Sequence, residues 1–141
     1  MRETVQTNLE LVRQGYALWN ASGLEAFVEQ VLAPDIVFYD LPEAPDTGIF
    51  RGAEEVAARL RTGVESWAHL PLFEVRSLEG CGDYMLATVE LRVVGQGSGV
   101  GLAVPQFHVL RAAEGRLHEL RIYLDGDQAR REYERLSSQS S

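Results

Sequence analysis

Two polar side chains that can do chemistry, Gln106 and His108, lie two residues apart in a segment with strand character. Side chains on a strand alternate between the two faces of a sheet, so Gln106 and His108 share a face with Val104 and Leu110. An imidazole among apolar neighbours could exchange protons or hold a substrate oxygen, although a lone histidine on such a face is more often structural. The pattern predicts a pocket, with His108 as a candidate proton carrier.

Helices and one strand are predicted ahead of the strands that contain His108. Apolar residues recur at helical spacing from Val5 to Trp19, which predicts the first helix. Ser22 and Glu25 resemble a capping box, which would start a second helix at about 23–32. The other predicted elements are a strand at 36–41, a loop at 42–52, a helix at 53–67, strands at 72–78, 84–94, 100–111 and 116–124, and a weakly amphipathic helix at 126–136.

The order of these elements predicts the fold class. Consecutive strands with short turns form an antiparallel meander, and the order ααβαββββ predicts an α+β fold with helices over one face of a curved sheet. The 141 residues are expected to form one domain, with its core at about 4–136 and a frayed tail at 137–141. Phe107, Val109, Leu117 and Tyr123 fall on the opposite face. That much apolar surface predicts a homodimer through the outer face of the sheet.

Composition excludes several classes of function. The formal net charge is -8 and the basic residues are interleaved with acids, which argues against nucleic-acid binding. No stretch approaches the roughly 20 apolar residues of a membrane span, and the first residues lack the apolar core of a signal peptide, so a cytoplasmic protein is expected. The three histidines have no metal-site spacing and Cys81 stands alone. We therefore expect neither a metal nor a cofactor.

Three segments of the chain resemble the nuclear transport factor 2-like (NTF2-like) family, which includes ketosteroid isomerases and SnoaL-like polyketide cyclases. They are residues 19–24, residues 39–42 with 50–52, and residues 108–125. The resemblance covers about 4–136. It implies an NTF2-like cone, in which a curved mixed or antiparallel sheet is covered by three helices from the N-terminal half and followed by a short C-terminal helix. It also implies an apolar small-molecule pocket, usually presented by a homodimer.

The resemblance singles out Asp40 as a catalytic residue. In sequences of the ketosteroid isomerase type, the position after this first strand's aromatic run carries the carboxylate that moves a proton. An apolar cavity disfavours the charged form of a carboxylate, which makes it a better base near neutral pH. Asp40 could equally end the strand and cap the loop that follows. Gln106 lies near the position of the oxyanion-hole acid of those enzymes, so its amide would donate to the substrate oxygen, unless it only satisfies the rim of the sheet.

Other reacting positions of the family are not matched. Counting back from Asn20 places the oxyanion tyrosine of ketosteroid isomerases at Gly15, so Tyr16 is one residue away and faces a different direction. The positions that carry an Arg and two acids in limonene epoxide hydrolases read Thr88, Glu90 and Ile122 here. Glu90 could instead pair with Arg92 or Arg121 on the outer face. The side chains expected to bind substrate are Tyr16, Trp19, Phe38, Trp67, Thr88, Glu90, Leu120 and Ile122.

Two functions are compatible with this pattern. The first is a cofactor-independent enzyme that transfers a proton next to a carbonyl in a small apolar carbonyl or ring compound, giving isomerisation, cyclisation, dehydration or hydrolysis. Asp40 would be its base, and His108 with Gln106 would polarise the oxygen. The alternative is a non-catalytic module that binds a ligand or another protein. The departures at Gly15, Thr88 and Ile122 favour the module, whereas inward polar residues on two separate strands favour the enzyme.

Overall fold

The structure, a computed structural model, describes residues 2–41 and 48–139. Within these ranges the chain forms four helices around one sheet. The helices are α1 (Arg2–Ser22), α2 (Leu24–Val31), α3 (Ala53–Glu65) and α4 (Gly126–Gln139). The strands are β1 (Leu32–Tyr39), β2 (Ile49–Arg51), β3 (Leu72–Cys81), β4 (Tyr84–Val94), β5 (Gly101–Ala113) and β6 (Arg116–Tyr123).

The strands form one mixed, curved sheet in the order β2-β1-β6-β5-β4-β3. The antiparallel meander from β3 to β6 is confirmed, because each of these strands pairs with the next one along the chain. β1 joins the sheet beside β6 in a parallel arrangement, and β2 pairs antiparallel with β1 at the edge. The α+β class, with helices from the N-terminal half on one face and a short C-terminal helix, is therefore confirmed.

Helices α1, α2 and α3 close the inner face of the sheet over the main core. α1 contributes the apolar stripe that its sequence predicts, and Leu9, Val12, Tyr16 and Trp19 are all buried. Alternation in β4 places Met85, Ala87 and Val89 against these helices. The inner face is thus continuous from the first helix to the middle of the sheet, and the candidate site lies inside it.

Helix α4 covers part of the outer face. Ala129, Tyr133 and Leu136 recur one helical turn apart and pack against Val109 and Tyr123 of the sheet, so the expectation of weak amphipathicity is wrong. The helix begins at Gly126, where an added Cβ would lie 2.9 Å from the Phe107 ring, so a side chain there would require that ring to move.

The apolar surface that predicted a homodimer is mostly not available. Val109 and Tyr123 lie under α4. Leu117 faces inward instead, because a bulge pairs Ala112 with Leu117 but Arg111 with Glu119, which shifts the alternation by one residue. The homodimer stays a prediction, but most of the apolar surface from which it was inferred is covered within this chain.

Several element boundaries differ from the prediction. Ser22 belongs to α1, and α2 is capped by Gly23 at φ 89° without a side-chain bond, so the predicted capping box is wrong. The predicted loop contains β2, and of that loop residues 42–47 lie outside the described ones. α4 continues past residue 136 to Gln139, where Ser138 Oγ bonds the carbonyl of Glu134.

Candidate active site

A small apolar cavity lies between the inner face of the sheet and helices α1 to α3. Its volume is about 60 Å³. Nearly all of its wall is aliphatic or aromatic, and the polar groups are contributed by α1 and β5. The lining residues are Val12, Gly15, Tyr16, Trp19, Phe27, Leu60, Phe73, His108, Leu110, Leu117, Leu120 and Ile122. Leu60, Phe73 and Ile122 are half-buried, so this side of the wall lies nearest to solvent.

A chain of hydrogen bonds joins two side chains of this wall, Tyr16 and His108, to Gln106, which does not line the cavity. The Nε2 atom of His108 lies 3.0 Å from Gln106 Oε1, and its Nδ1 atom lies 2.6 Å from the Tyr16 hydroxyl. The carboxamide oxygen can only accept, so Nε2–H of the imidazole donates to it. In a neutral ring Nδ1 then carries no proton and accepts from the hydroxyl of Tyr16. Gln106 thus fixes the tautomer of His108, which differs from its predicted role as a donor to substrate.

Burial keeps both members of the Tyr16–His108 pair uncharged. His108 is 2% exposed and Tyr16 is 8% exposed. Desolvation disfavours the charged form of each, which lowers the pKa of His108 to about 3 and raises the pKa of Tyr16 well above its ordinary value. Near pH 7 the imidazole is therefore able to accept a proton and the phenol is able to donate one.

The positions of these side chains follow from local structure. Tyr16 lies one turn beyond Val12 on the buried stripe of α1, so its ring points at the sheet. Gly15 and Tyr16 both line the cavity, but a Cβ on Gly15 would face α2 whereas the Tyr16 hydroxyl reaches β5, so the two positions face different directions, as expected. The Phe73 ring packs edge-on against the His108 ring, with centroids 5.6 Å apart.

Trp19 closes the wall beside Tyr16, as the sequence predicts. Its indole nitrogen donates to the carbonyl of Pro71 at 2.7 Å, and its ring meets Phe27 and Phe73 at steep angles. Leu120 and Ile122, the two predicted lining residues on β6, also reach the cavity. The structure therefore brings Tyr16, Trp19, His108, Leu120 and Ile122 together.

Asp40 lies just outside the cavity in an ion pair. Arg59 approaches Asp40 Oδ2 through Nε at 2.8 Å and through Nη2 at 2.6 Å, and the backbone N–H of Leu41 donates to Oδ1. The carboxylate thus bonds the start of the following segment, as a residue that ends a strand does. It is 8% exposed, but it is not part of the cavity wall.

One residue separates Asp40 from His108. Tyr39 pairs with Arg121 across β1 and β6, and extending that parallel register by one residue places Asp40 beside Ile122. Ile122 in turn pairs with His108 on β5. Neighbouring strands lie about 4.8 Å apart, so the backbones of Asp40 and His108 are about 10 Å apart with Ile122 between them. The carboxylate and the imidazole occupy the same row of the inner face without touching.

Four predicted substrate-binding residues lie away from the cavity. Phe38 is in the core and stacks on Phe50. Trp67 follows the end of α3 and pairs with Gly95 instead. Thr88 and Glu90 alternate with the inward-facing Ala87 and Val89, so they point to the outer face.

Glu90 forms an ion pair there with Arg76 and another with Arg92, each at 2.8 Å. The predicted pairing with Arg92 is confirmed, and Glu90 does not line this cavity. The five apolar residues at odd positions from Met85 to Val93 are the signal that identifies the inner face of β4.

Seven of the twelve lining residues are not among the predicted catalytic or substrate-binding residues. They are Val12, Gly15, Phe27, Leu60, Phe73, Leu110 and Leu117. Most lie on predicted buried stripes, but stripes do not distinguish a cavity wall from solid core. Among residues 2–41 and 48–139, no three His, Cys, Asp or Glu side chains are grouped to hold a metal ion. Across the same ranges, no helix has the length and apolarity to cross a membrane.

Comparison with known families agrees with this architecture. The family model for the SnoaL-like domain matches residues 12–120, which is well over half of the chain. The chain belongs to the SnoaL-like domain family. No curated protein sequence matches it. The matched range begins on α1 and ends on β6, so it contains every residue of the cavity wall except Ile122.

Solved structures share the SnoaL-like fold at low sequence identity. An NTF2-like protein of unknown function from Burkholderia pseudomallei has a TM-score of 0.70 and 22% identity, over 90% of this chain and 97% of that one. A candidate SnoaL-like polyketide cyclase from Jannaschia sp. CCS1 has a TM-score of 0.71 and 17% identity, over 84% and 85%. A protein with a ketosteroid isomerase-like fold from Catenulispora acidiphila, in complex with trimethylamine, has a TM-score of 0.67 and 17% identity, over 81% and 84%. At such identities the likeness concerns the fold.

Proposed function

We propose that this SnoaL-like protein is a cofactor-independent enzyme that transfers a proton next to the carbonyl of a small, uncharged, mostly apolar compound. The observation that carries the proposal is the 2.6 Å contact between Tyr16 Oη and His108 Nδ1 in the wall of an apolar cavity. General acid–base catalysis needs a donor and an acceptor within hydrogen-bond reach of one substrate, and this pair supplies both.

The chemistry uses the neutral forms that burial enforces. His108 Nδ1 accepts the proton that leaves the carbon next to the carbonyl, and the C–H electron pair forms the new C=C bond. Tyr16 Oη gives its proton to the carbonyl oxygen, which becomes a hydroxyl. Transfer of the proton from His108 back to the Tyr16 oxygen then leaves an enol and restores both side chains. Gln106 takes no proton and holds the imidazole in the tautomer that this step requires.

Asp40 has a different part in this proposal from the one its position in the family suggests. Its carboxylate is engaged by Arg59 and lies behind Ile122, so His108 is the nearer base for a substrate in the cavity. We propose that the ion pair between Asp40 and Arg59 fixes α3, and with it Leu60, against the open side of the cavity.

Hydrogen–deuterium exchange tests the proposal directly. Small apolar ketones such as cyclopentanone are incubated with the protein in D₂O, and deuterium uptake next to the carbonyl is followed by NMR. We expect exchange above the buffer background with the wild type, and loss of that acceleration in His108→Gln and in Tyr16→Phe. Glu90→Gln on the outer face is the matched control and should keep the wild-type rate.

The alternative is a ligand carrier without catalysis. It is favoured by the fact that the Tyr16 hydroxyl and both ring nitrogens of His108 are already hydrogen-bonded within this group of side chains. Ketones that bind in the cavity and show no accelerated exchange would support the carrier and contradict the enzyme.

A further inference from the structure

The wall of the cavity offers an entering molecule no unpaired polar side-chain atom. Trp19 Nε1 already donates to a carbonyl, and both ring nitrogens of His108 are bonded. Across the described residues, the one buried side-chain nitrogen or oxygen without a partner is Arg121 Nε, which is not part of this wall. A ligand oxygen that accepts a hydrogen bond must therefore take the donor of an existing bond. The bond between Tyr16 and His108 is the accessible one, because both residues line the cavity.

Breaking that bond leaves two different requirements. The hydroxyl of Tyr16 then needs an acceptor, and Nδ1 of His108 needs a donor. A ligand hydroxyl supplies both, since it can accept from Tyr16 and donate to His108 at the same time. A carbonyl supplies only the acceptor and leaves Nδ1 buried without a partner. An unpaired buried polar group weakens binding by roughly 5- to 150-fold.

We infer that the cavity selects an alcohol or an enol over the ketone with the same carbon skeleton, with the ligand hydroxyl inserted between Tyr16 Oη and His108 Nδ1. The inference rests on the proposed function and narrows its substrate class. It also gives that function a driving force, because a site that binds the enol more tightly than the ketone favours enolisation.

The size of the cavity narrows the ligand further. A dry cavity of about 150 Å³ holds benzene, whereas this one has a volume of about 60 Å³. A ring of five or six atoms therefore enters only if the wall widens, and the half-buried Leu60, Phe73 and Ile122 lie where it would have to do so. A ligand with several hydroxyl groups would bury polar atoms against an aliphatic wall that cannot pair them. The ligand class is thus a single small ring or short chain with one oxygen.

Titration with three matched compounds tests the inference. Cyclopentanol, cyclopentanone and cyclopentane are added to the intact protein, and the methyl NMR signals of Val12, Leu60 and Ile122 report occupancy of the cavity. We expect cyclopentanol to bind at least about 5-fold more tightly than cyclopentanone. Equal or tighter binding of cyclopentanone overturns the inference. Absence of binding by all three compounds, in the wild type and in the wider cavity of Leu60→Ala, overturns it as well.

Two variants identify the hydrogen bonds that cause the preference for cyclopentanol over cyclopentanone. In Tyr16→Phe the Nδ1 acceptor remains, so the preference for cyclopentanol should persist. In His108→Leu only the Tyr16 donor remains, and a carbonyl satisfies it fully, so the preference should disappear. A preference that survives in His108→Leu contradicts the inserted hydroxyl.

The outcomes separate the inference from the proposed function. Selective binding of cyclopentanol without accelerated exchange of any ketone would contradict the enzymatic function and still support the proposed ligand class. Accelerated exchange that depends on His108, together with tighter binding of cyclopentanone, would support the enzyme and contradict the proposed ligand class.

Discussion

Acid should destabilise this protein through His108, and His108→Gln should remove that part of the pH dependence. The imidazole is buried, and burial lowers its pKa to about 3. A histidine in an unfolded chain has a pKa of about 6.5. Between these two values the unfolded chain binds a proton that the folded chain does not. The free energy of unfolding therefore falls as the pH falls from about 6.5 towards 3, and the contribution is fully present above pH 6.5.

The size of the effect follows from the two pKa values. Each pH unit within the window costs about 1.4 kcal/mol at 25 °C. Between pH 7 and pH 4.5, His108 should thus remove about 2–3 kcal/mol from the free energy of unfolding. Small domains unfold with only about 5–15 kcal/mol, so a loss of this size is readily measured.

Urea unfolding at half-unit steps from pH 4.5 to 7.5 measures this contribution. Carboxylates titrate over part of the same range, so the informative quantity is the difference between the wild type and His108→Gln at each pH. That difference should narrow by about 2–3 kcal/mol on acidification, because glutamine does not titrate. His69→Gln, a substitution on the surface, is the control for loss of a histidine as such. Parallel curves for the wild type and His108→Gln would refute a neutral, buried imidazole.

Three further substitutions test other parts of the site. Tyr16→Phe leaves Nδ1 of His108 buried without a donor and should lower the free energy of unfolding by about 1–3 kcal/mol in urea; no loss would mean that Nδ1 has another donor. Asp40→Asn removes the charge that holds Arg59 and should cost about 1–2 kcal/mol while ketone exchange stays within a few-fold of wild type; loss of exchange at unchanged stability would instead make Asp40 the base. Glu90→Gln should leave the exchange rate of the ketone unchanged and should alter the free energy of unfolding by no more than about 0.5 kcal/mol. A large loss of exchange would place Glu90 at the site after all.

The sequence predicts the parts of this site that depend on local periodicity. A period of two puts Gln106 and His108 on one face of β5, and a helical stripe buries Tyr16, and both features are present. The contact between Tyr16 and His108 joins residues 92 positions apart, and no local pattern specifies the distance between them. Alignment to the family does not show that Tyr16 meets His108, because the contacts of a helical side chain depend on how α1 is rotated against the sheet.

Long-range pairing explains the other errors. The parallel contact of β1 with β6 places Asp40 beside Ile122, and neither strand carries a signal for the other. The bulge in β6 turns Leu117 inward, and an unbroken period of two gives the opposite face. The outer face of the sheet has the apolar character that predicts a partner, but α4 of the same chain provides that partner.

The neutrality of the Tyr16–His108 pair also limits how fast this site can work. Burial makes His108 a weak base and Tyr16 a weak acid, so neither gains from a favourable pKa. Besides the positioning of the two groups, what remains is tighter binding of the enol than of the ketone, which contributes roughly 5- to 150-fold. A charged base would raise the rate further, and one carboxylate of the inner face, Asp40, lies one residue further along the row. Ile122→Ala removes the side chain between them. A large gain in exchange from that substitution would mean that Ile122 sets the rate by keeping Asp40 out of the cavity.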